Sequence, residues 1–191
     1  GCPARAGEDP FCDGLVLGSY AVAKSIVGSF GLMRLGRVLS GARNQQVVDY
    51  VPECAAHGDW SGVTLGNLLD MSSGHWTSAA AHADEDSVAM SKEFFDEPRH
   101  AGKIAYACGH SPRREMAGRT FVYRTSDTYV LGTALAAFVR RRIGPQADLL
   151  DDFVWRDVWR VVGLSPVANF SRRTRDDAQQ PFVGYGLALL P

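Results

Sequence analysis

The chain has 191 residues, of which 46% are hydrophobic, with a formal net charge of −1 and an isoelectric point near 6.6. That length is sufficient for one domain with a sizeable core. The balanced charge gives no sign of the basic surface typical of nucleic-acid binding, so we expect no nucleic-acid partner. The short basic run at 140–142 is predicted to end a helix, where arginines interact favourably with the helix dipole.

The cysteines and histidines give no metal signature. There are four cysteines, at positions 2, 12, 54 and 108, and their spacing fits no zinc template. The histidines form no HxxxH or HExxH pair, so we expect neither a metal nor an organic cofactor. A Cys2–Cys12 disulfide is possible in an exported protein, but isolated thiols are the preferred interpretation. The compartment stays open, with a periplasmic or secreted location favoured over a cytoplasmic one.

In chain order, the first predicted element is a polar, turn-rich tail or loop at 1–13, and we assign 14–191 to a single partial domain. Residues 14–33 are apolar but contain four glycines, three serines and Lys24. This composition indicates a buried core helix over about 20–35, with Ser19 as a candidate N-cap, rather than a membrane span.

Helices dominate the rest of the pattern. They are predicted at 45–50, at 64–71 with Thr64 as N-cap, at 86–95, at 99–107, at 127–142 capped by Ser126 or Asp127, and at 148–162 with Leu149, Phe153 or Val154, Val158 and Val161 facing the core. Residues 166–191 are loop-like, with FVGYGLALL as a candidate strand. Convincing strands are scarce, so we expect the helical part of an α+β domain whose sheet is completed by a missing segment or a second chain.

Lys24 is the most informative residue for function. It is the only charged residue from Gly14 to Met33, and one of three lysines against seventeen arginines. Burying an ammonium group is costly unless the group is paired or its pKa falls. A lysine kept in such a segment is therefore a candidate general base, which would serve a hydroxyl one helical turn earlier. The residue at that position is Ala21.

Six segments carry a resemblance to a known family. They are SYAVAKSIVG, VVDYVPEC, VTLGNLLDMSSGHW, GRTFVYRTSDTYVLGTAL, VWRDVWRVVGLSP and QQPFVGYGLALLP. The first resembles the SxSxxKS(I/F)xG segment, and the fourth the GxxFxYSNxxxxLLGxxL segment, of serine hydrolases related to class C β-lactamases and penicillin-binding proteins. In this order the six cover nearly the whole chain, and they are most similar to the branch of aminohexanoate-oligomer hydrolases and carboxylesterases.

The resemblance implies a fold, a reaction and a set of site residues. The fold would be that of β-lactamases and penicillin-binding proteins, an antiparallel sheet flanked by helices. The reaction would cleave a small ester or amide, including a β-lactam or peptide-like amide, through an acyl-enzyme. Lys24 would be the base and Tyr123 the second acid/base, with Ala21 at the nucleophile position. Trp76 and Ser126 are the candidate substrate-binding residues, although Trp76 could equally be core packing.

The departures from the family pattern define the alternatives. Ala21 has no nucleophilic atom, so it is either an engineered substitution that silences the enzyme or the mark of a natural pseudoenzyme. A pseudoenzyme would bind a peptidoglycan-like or acyl ligand, or a partner protein. Thr125 replaces the asparagine of the YxN motif, which favours an esterase or amidase over a β-lactamase. The family's (K/H)-(T/S)-G strand would lie beyond Pro191 and the strands before the SxxK helix are missing, so we expect a domain incomplete at both ends.

Overall fold

The computed structural model describes residues 2–190, and helices account for most of its regular structure. The α-helices are α1 (Phe30–Val38), α2 (Pro52–Ala56), α3 (Leu65–Leu69), α4 (His100–Gly109) and α5 (Thr125–Ile143). Wider π-helical segments span Lys24–Ser29, Met90–Phe95 and Leu150–Trp159. Short 3-10 turns span Cys12–Gly14, Tyr20–Val22, Ala42–Asn44, Val47–Asp49 and Pro166–Asn169. Every predicted helical region thus contains a helical segment.

The described strands form two small antiparallel sheets. In the first, β1 (Cys2–Ala4) pairs with β2 (Gly7–Asp9), where a tail or loop was expected. In the second, β3 (Leu17–Gly18) pairs with β4 (Ala188–Leu189), which lies in the predicted FVGYGLALL strand. Helices combined with small antiparallel sheets confirm the α+β class. The finer β-lactamase-like assignment and the domain boundaries stay predictions.

Helix α5 lies at the centre of the core. It is buried on nearly all sides, and its buried apolar positions include Tyr129, Val130, Leu131, Ala134, Leu135 and Val139. It packs against α1, α3 and α4. Two buried tryptophans fix the surrounding elements, because Trp60 Nε1 donates to the carbonyl of Cys108 at 2.8 Å and Trp159 Nε1 donates to that of Ile26 at 3.2 Å. Among residues 2–190, no helix combines the length and apolarity that a membrane crossing requires.

The N-termini of α3 and α5 are capped in different ways, one by a nearby residue and the other by a distant one. At α3 the Thr64 hydroxyl accepts from the Asn67 N–H, and the Asn67 side chain accepts from the Thr64 N–H at 3.0 Å. This capping box confirms the predicted N-cap. The start predicted for α5 is wrong, because the helix begins at Thr125 and the candidate caps Ser126 and Asp127 lie inside its first turn. The Thr125 N–H is instead satisfied by Glu85, forty residues earlier in the chain, at 2.7 Å.

The core face predicted for the last helix is partly wrong. Leu149, Phe153 and Val154 are buried as expected, but Val161 is 75% exposed. The segment Leu150–Trp159 is π-helical, and the wider i→i+5 turn rotates later residues away from the face that a regular α-helix would present. Trp159 takes the buried position instead.

Both pairs of cysteines are disulfide-bonded, so the preference for isolated thiols is wrong. The Cα atoms of Cys2 and Cys12 are 5.6 Å apart, and those of Cys54 and Cys108 are 4.8 Å apart. Both separations fall within the usual range for a disulfide. The second bond is buried and joins α2 to α4. Its cysteines are 54 positions apart, so no local pattern could have revealed the pairing.

Candidate functional site

A strained turn presents Ala21 and then buries Lys24. The Ser19 N–H donates to the carbonyl of Leu187 at 2.8 Å, which anchors the turn beside β4. Tyr20 has a φ of 46°, a left-handed conformation that costs a non-glycine residue about 1–3 kcal/mol. Ala21 is exposed within the 3-10 turn Tyr20–Val22, whereas Lys24, at the start of the π-helical segment, is only 8% exposed.

Lys24 is surrounded by three oxygen acceptors from separate segments. Its Nζ donates to Tyr123 Oη at 3.0 Å, to Thr125 Oγ1 at 2.9 Å and to the carbonyl of Gly184 at 3.1 Å. An ammonium group has three protons, so this arrangement satisfies it completely. Burial lowers the pKa of Lys24, and the nearby Glu85 carboxylate opposes that shift. The site therefore favours loss of a proton from Lys24 more than water would.

Tyr123 lies directly against Lys24, although 99 positions separate the two residues in the chain. Lys24 Nζ is 4.7 Å from the centre of the Tyr123 ring, within range of a cation–π interaction. Burial raises the pKa of Tyr123, and Glu85 raises it further, so the phenol keeps its proton at neutral pH. The exposed His82 packs its ring 5.1 Å from the Tyr123 ring. The structure thus brings together the two residues that the sequence predicted as base and second acid/base.

Gly184 is a site residue that the sequence analysis missed. A Cβ atom there would lie 2.5 Å from Thr128 Oγ1 and 2.7 Å from Thr125 Cγ2. Only glycine therefore allows the segment to approach α5 closely enough for its carbonyl to reach Lys24. The only sequence signal was the FVGYG string that was assigned to a candidate strand.

Glu85 is the second residue that the sequence analysis missed. Its carboxylate accepts from the Thr125 N–H at 2.7 Å and from the Thr125 hydroxyl in a close contact. Thr125 in turn accepts from Lys24, so Glu85 joins the same hydrogen-bond chain. Its only sequence signal was a run of acidic residues at 84–86 in a polar stretch, a pattern that usually marks a solvated surface.

The two candidate substrate-binding residues do not hydrogen-bond to Lys24. Ser126 is fully buried, its hydroxyl accepts from Arg124 Nη2 at 3.1 Å, and it lines a cavity of about 280 Å³ together with Glu85. Trp76 is half-buried. The guanidinium carbon of Arg114 lies 5.9 Å from the centre of the Trp76 ring. Its indole Nε1 is buried without a hydrogen-bond partner among the described residues. Their roles toward a substrate stay predictions.

A buried polar cluster supports the start of α5. Arg124 is 3% exposed and donates to the carbonyl of His75, and its Nη1 lies 3.7 Å from Asp127 Oδ1. Burial raises the pKa of Asp127, while Arg124 and Ser73 lower it. Burial lowers the pKa of His75, so its imidazole is neutral near pH 7. Within residues 2–190, no group of three or more His, Cys, Asp and Glu side chains is arranged to hold a metal ion.

Comparison with known proteins supports the fold. No family model and no curated protein matches the chain. Among solved structures it is similar to one named "Putative 6-aminohexanoate-dimer hydrolase from Bacillus anthracis", with a TM-score of 0.62 and 12% sequence identity. The match covers 96% of this chain and 47% of that one, so the chain spans about half the length of that structure. At this identity the likeness establishes a shared fold and nothing more.

Proposed function

We propose that this chain carries the site of an SxxK-type serine hydrolase for small esters or amides, with alanine at the nucleophile position. The observation that supports this most strongly is the placement of Lys24, which is buried, 3.0 Å from Tyr123 Oη and one helical turn after the exposed Ala21. A buried lysine with a lowered pKa is expensive to keep in a core and is suited to proton transfer. Thr125 at the YxN asparagine position favours an ester or linear amide over a β-lactam.

The proposed reaction needs a serine at position 21. Lys24 would take the proton of that hydroxyl as the serine oxygen bonds to the substrate carbonyl carbon. Tyr123 would give its proton to the leaving alcohol or amine and regain one through Lys24, leaving an acyl group on the serine. Water, activated by the same pair, would then release the carboxylic acid and restore the serine. With Ala21 in place, none of these covalent steps can start.

Restoring the nucleophile tests the proposal. The Ala21→Ser protein should hydrolyse p-nitrophenyl esters, measured by release of nitrophenolate, and the Ala21→Gly protein should match the unmodified chain. Adding Lys24→Ala to Ala21→Ser should lower the acylation rate roughly 10²–10⁴-fold, the usual contribution of a general base. A folded Ala21→Ser protein no faster than the Ala21→Gly control would contradict the enzyme assignment.

A second candidate function is non-catalytic binding, and Ala21 itself favours it. A pseudoenzyme with this site would hold a peptidoglycan-like or acyl ligand, or a partner protein, without turnover. It should bind an acylated dipeptide in the Ala21 form with measurable heat in calorimetry. It should also stay inert toward esters after Ala21→Ser, which separates this candidate from a silenced enzyme.

We also propose that a second chain or a further segment extends the β3–β4 sheet. Each strand is only two residues long. Leu15 and Val16, just before β3, and Leu17 within it are 40%, 55% and 48% exposed. An apolar sheet edge with no third strand among residues 2–190 is a common site for strand addition. Elution volume in size-exclusion chromatography would reveal a second copy in this role.

For the compartment, we propose a periplasmic or secreted location. The support is the pair of disulfides, Cys2–Cys12 and Cys54–Cys108, because disulfides persist in oxidising environments and are rare in the cytosol. Thiol labelling of the protein in cell extracts, before and after reduction, would test this.

A further inference from the structure

We propose that Glu85 is a positioning residue of this site, which through Thr125 holds the Lys24 side chain against Tyr123 and acts as the counter-ion of its ammonium group. Its catalytic consequence rests on the proposed function, since it requires Lys24 to be the base. The contact between Glu85, Thr125 and Lys24 does not depend on that assignment and can be tested in the chain as it stands.

The direction of the hydrogen bonds determines how Glu85 acts on Lys24. A threonine hydroxyl has one proton to donate, and Thr125 gives that proton to the Glu85 carboxylate. The lone pairs of Thr125 Oγ1 are then left to accept from Lys24 Nζ at 2.9 Å. The second Glu85 oxygen accepts from the Thr125 N–H at 2.7 Å, so the carboxylate is held at two points. A chain of hydrogen bonds therefore runs from Lys24 through Thr125 to the Glu85 carboxylate, which fixes its direction.

The electrostatic setting explains why a carboxylate is needed there. Lys24 lies beside the first turn of the 19-residue helix α5, whose positive dipole end disfavours a neighbouring cation. Within residues 2–190, the Lys24 ammonium group donates hydrogen bonds only to the neutral Tyr123 and Thr125 side chains and to the Gly184 carbonyl. Glu85 supplies the opposing negative charge, which raises the pKa of Lys24 against the effect of burial.

A purely structural role for Glu85 makes a different prediction. A carboxylate at the α5 N-terminus could act only as a remote helix cap. In that case its removal would lower the stability of the fold and leave the titration of Lys24 unchanged. A positioning role requires the Lys24 titration itself to move, because the counter-ion has been lost.

Lysine NMR separates these possibilities. The chain has only three lysines, so ¹³C,¹⁵N-lysine labelling gives three side-chain signals, and Lys24→Arg assigns one of them. Glu85→Gln should move the titration midpoint of Lys24 to lower pH. Asp86→Asn is the matched control, since this exposed neighbour loses the same charge and its side chain makes no hydrogen bond among the described residues; it should leave the midpoint unchanged. Equal midpoints in the two variants, with the Lys92 and Lys103 signals unaltered, would overturn the proposal.

Kinetics in the Ala21→Ser background give the second readout. Glu85→Gln should move the acid limb of the pH–rate profile to lower pH and reduce the plateau rate. Glu85→Asp keeps the charge on a shorter side chain, so it should retain the midpoint while lowering the plateau. If Ala21→Ser is inactive but the NMR midpoint moves, the hydrolase proposal fails and the role of Glu85 toward Lys24 stands. If esters are hydrolysed but neither the NMR midpoint nor the acid limb moves, the positioning role fails alone.

Discussion

Replacing Lys103 by methionine should remove a pH dependence that this lysine imposes on the stability of the fold. Lys103 lies on α4, is 1% exposed, and donates to the carbonyls of Phe94 and Phe95 and to the Tyr185 hydroxyl. Burial, assisted by the positive charge of Arg172, lowers its pKa from 10.5 to about 8. No acidic side chain is hydrogen-bonded to its ammonium group among the described residues, so the desolvation cost is only partly offset.

The direction and magnitude of this pH dependence of stability follow from proton linkage. The folded-state pKa lies below the unfolded-state value, so between these values the unfolded chain binds more protons and stability rises with pH. Below pH 8 the penalty is fully present, and above pH 10.5 it is gone. Between pH 7 and pH 9.5 the contribution of Lys103 to the free energy of unfolding should increase by about 2 kcal/mol.

Urea unfolding at several pH values from 7 to 9.5 measures this contribution. The free energy of unfolding of the unmodified chain should rise relative to that of Lys103→Met across this range. The carbonyls that lose their donor in the variant lower its free energy of unfolding by an amount that does not depend on pH, so they do not mask the rise. Lys92→Met is the matched control, since Lys92 is exposed and its ammonium group pairs with the exposed Asp96 at 3.1 Å. A difference between the unmodified chain and Lys103→Met that stays constant with pH would show that burial does not lower the pKa of Lys103.

Two further predictions concern stability. Thr64→Ala should lower the free energy of unfolding by about 1 kcal/mol, because it removes the hydroxyl that caps α3 through the Asn67 N–H; an unchanged urea midpoint would contradict the role of the capping box. Replacing both Cys54 and Cys108 by serine should cost about 4 kcal/mol, because the bond closes a loop with a sequence separation of 54. Two reactive thiols from this pair in the unmodified, non-reduced protein would contradict that disulfide.

The parts of the fold that could be predicted depend on residues close together in the chain. The cap of α3 needs only Thr64 and Asn67, three positions apart, and a sequence pattern contains both. The start of α5 depends on Glu85, whose carboxylate comes from another segment, so a local pattern assigned the cap to Ser126 or Asp127. Val161 was misplaced for another reason, since a 3.6-residue period does not describe a π-helical turn.

The residues of the candidate site also differ in whether the local sequence could reveal them. Lys24 could be singled out from a single apolar segment, and its burial agrees with that interpretation. The contact with Tyr123 rested on family resemblance, because 99 intervening residues leave no spacing rule to apply. Glu85 and Gly184 could not be anticipated, since each owes its place to the packing of a distant segment against α5.

The proposed function requires Lys24 to activate a hydroxyl group at position 21. Intact-mass spectrometry after exposure to a fluorophosphonate probe tests this most directly, with the Ala21→Ser protein as sample and the unmodified chain as control. We expect a single adduct that maps to residue 21 and is absent from the control, which would establish this chain as a hydrolase without its nucleophile. A folded Ala21→Ser protein that acquires no adduct would contradict the hydrolase proposal and favour the non-catalytic binding function.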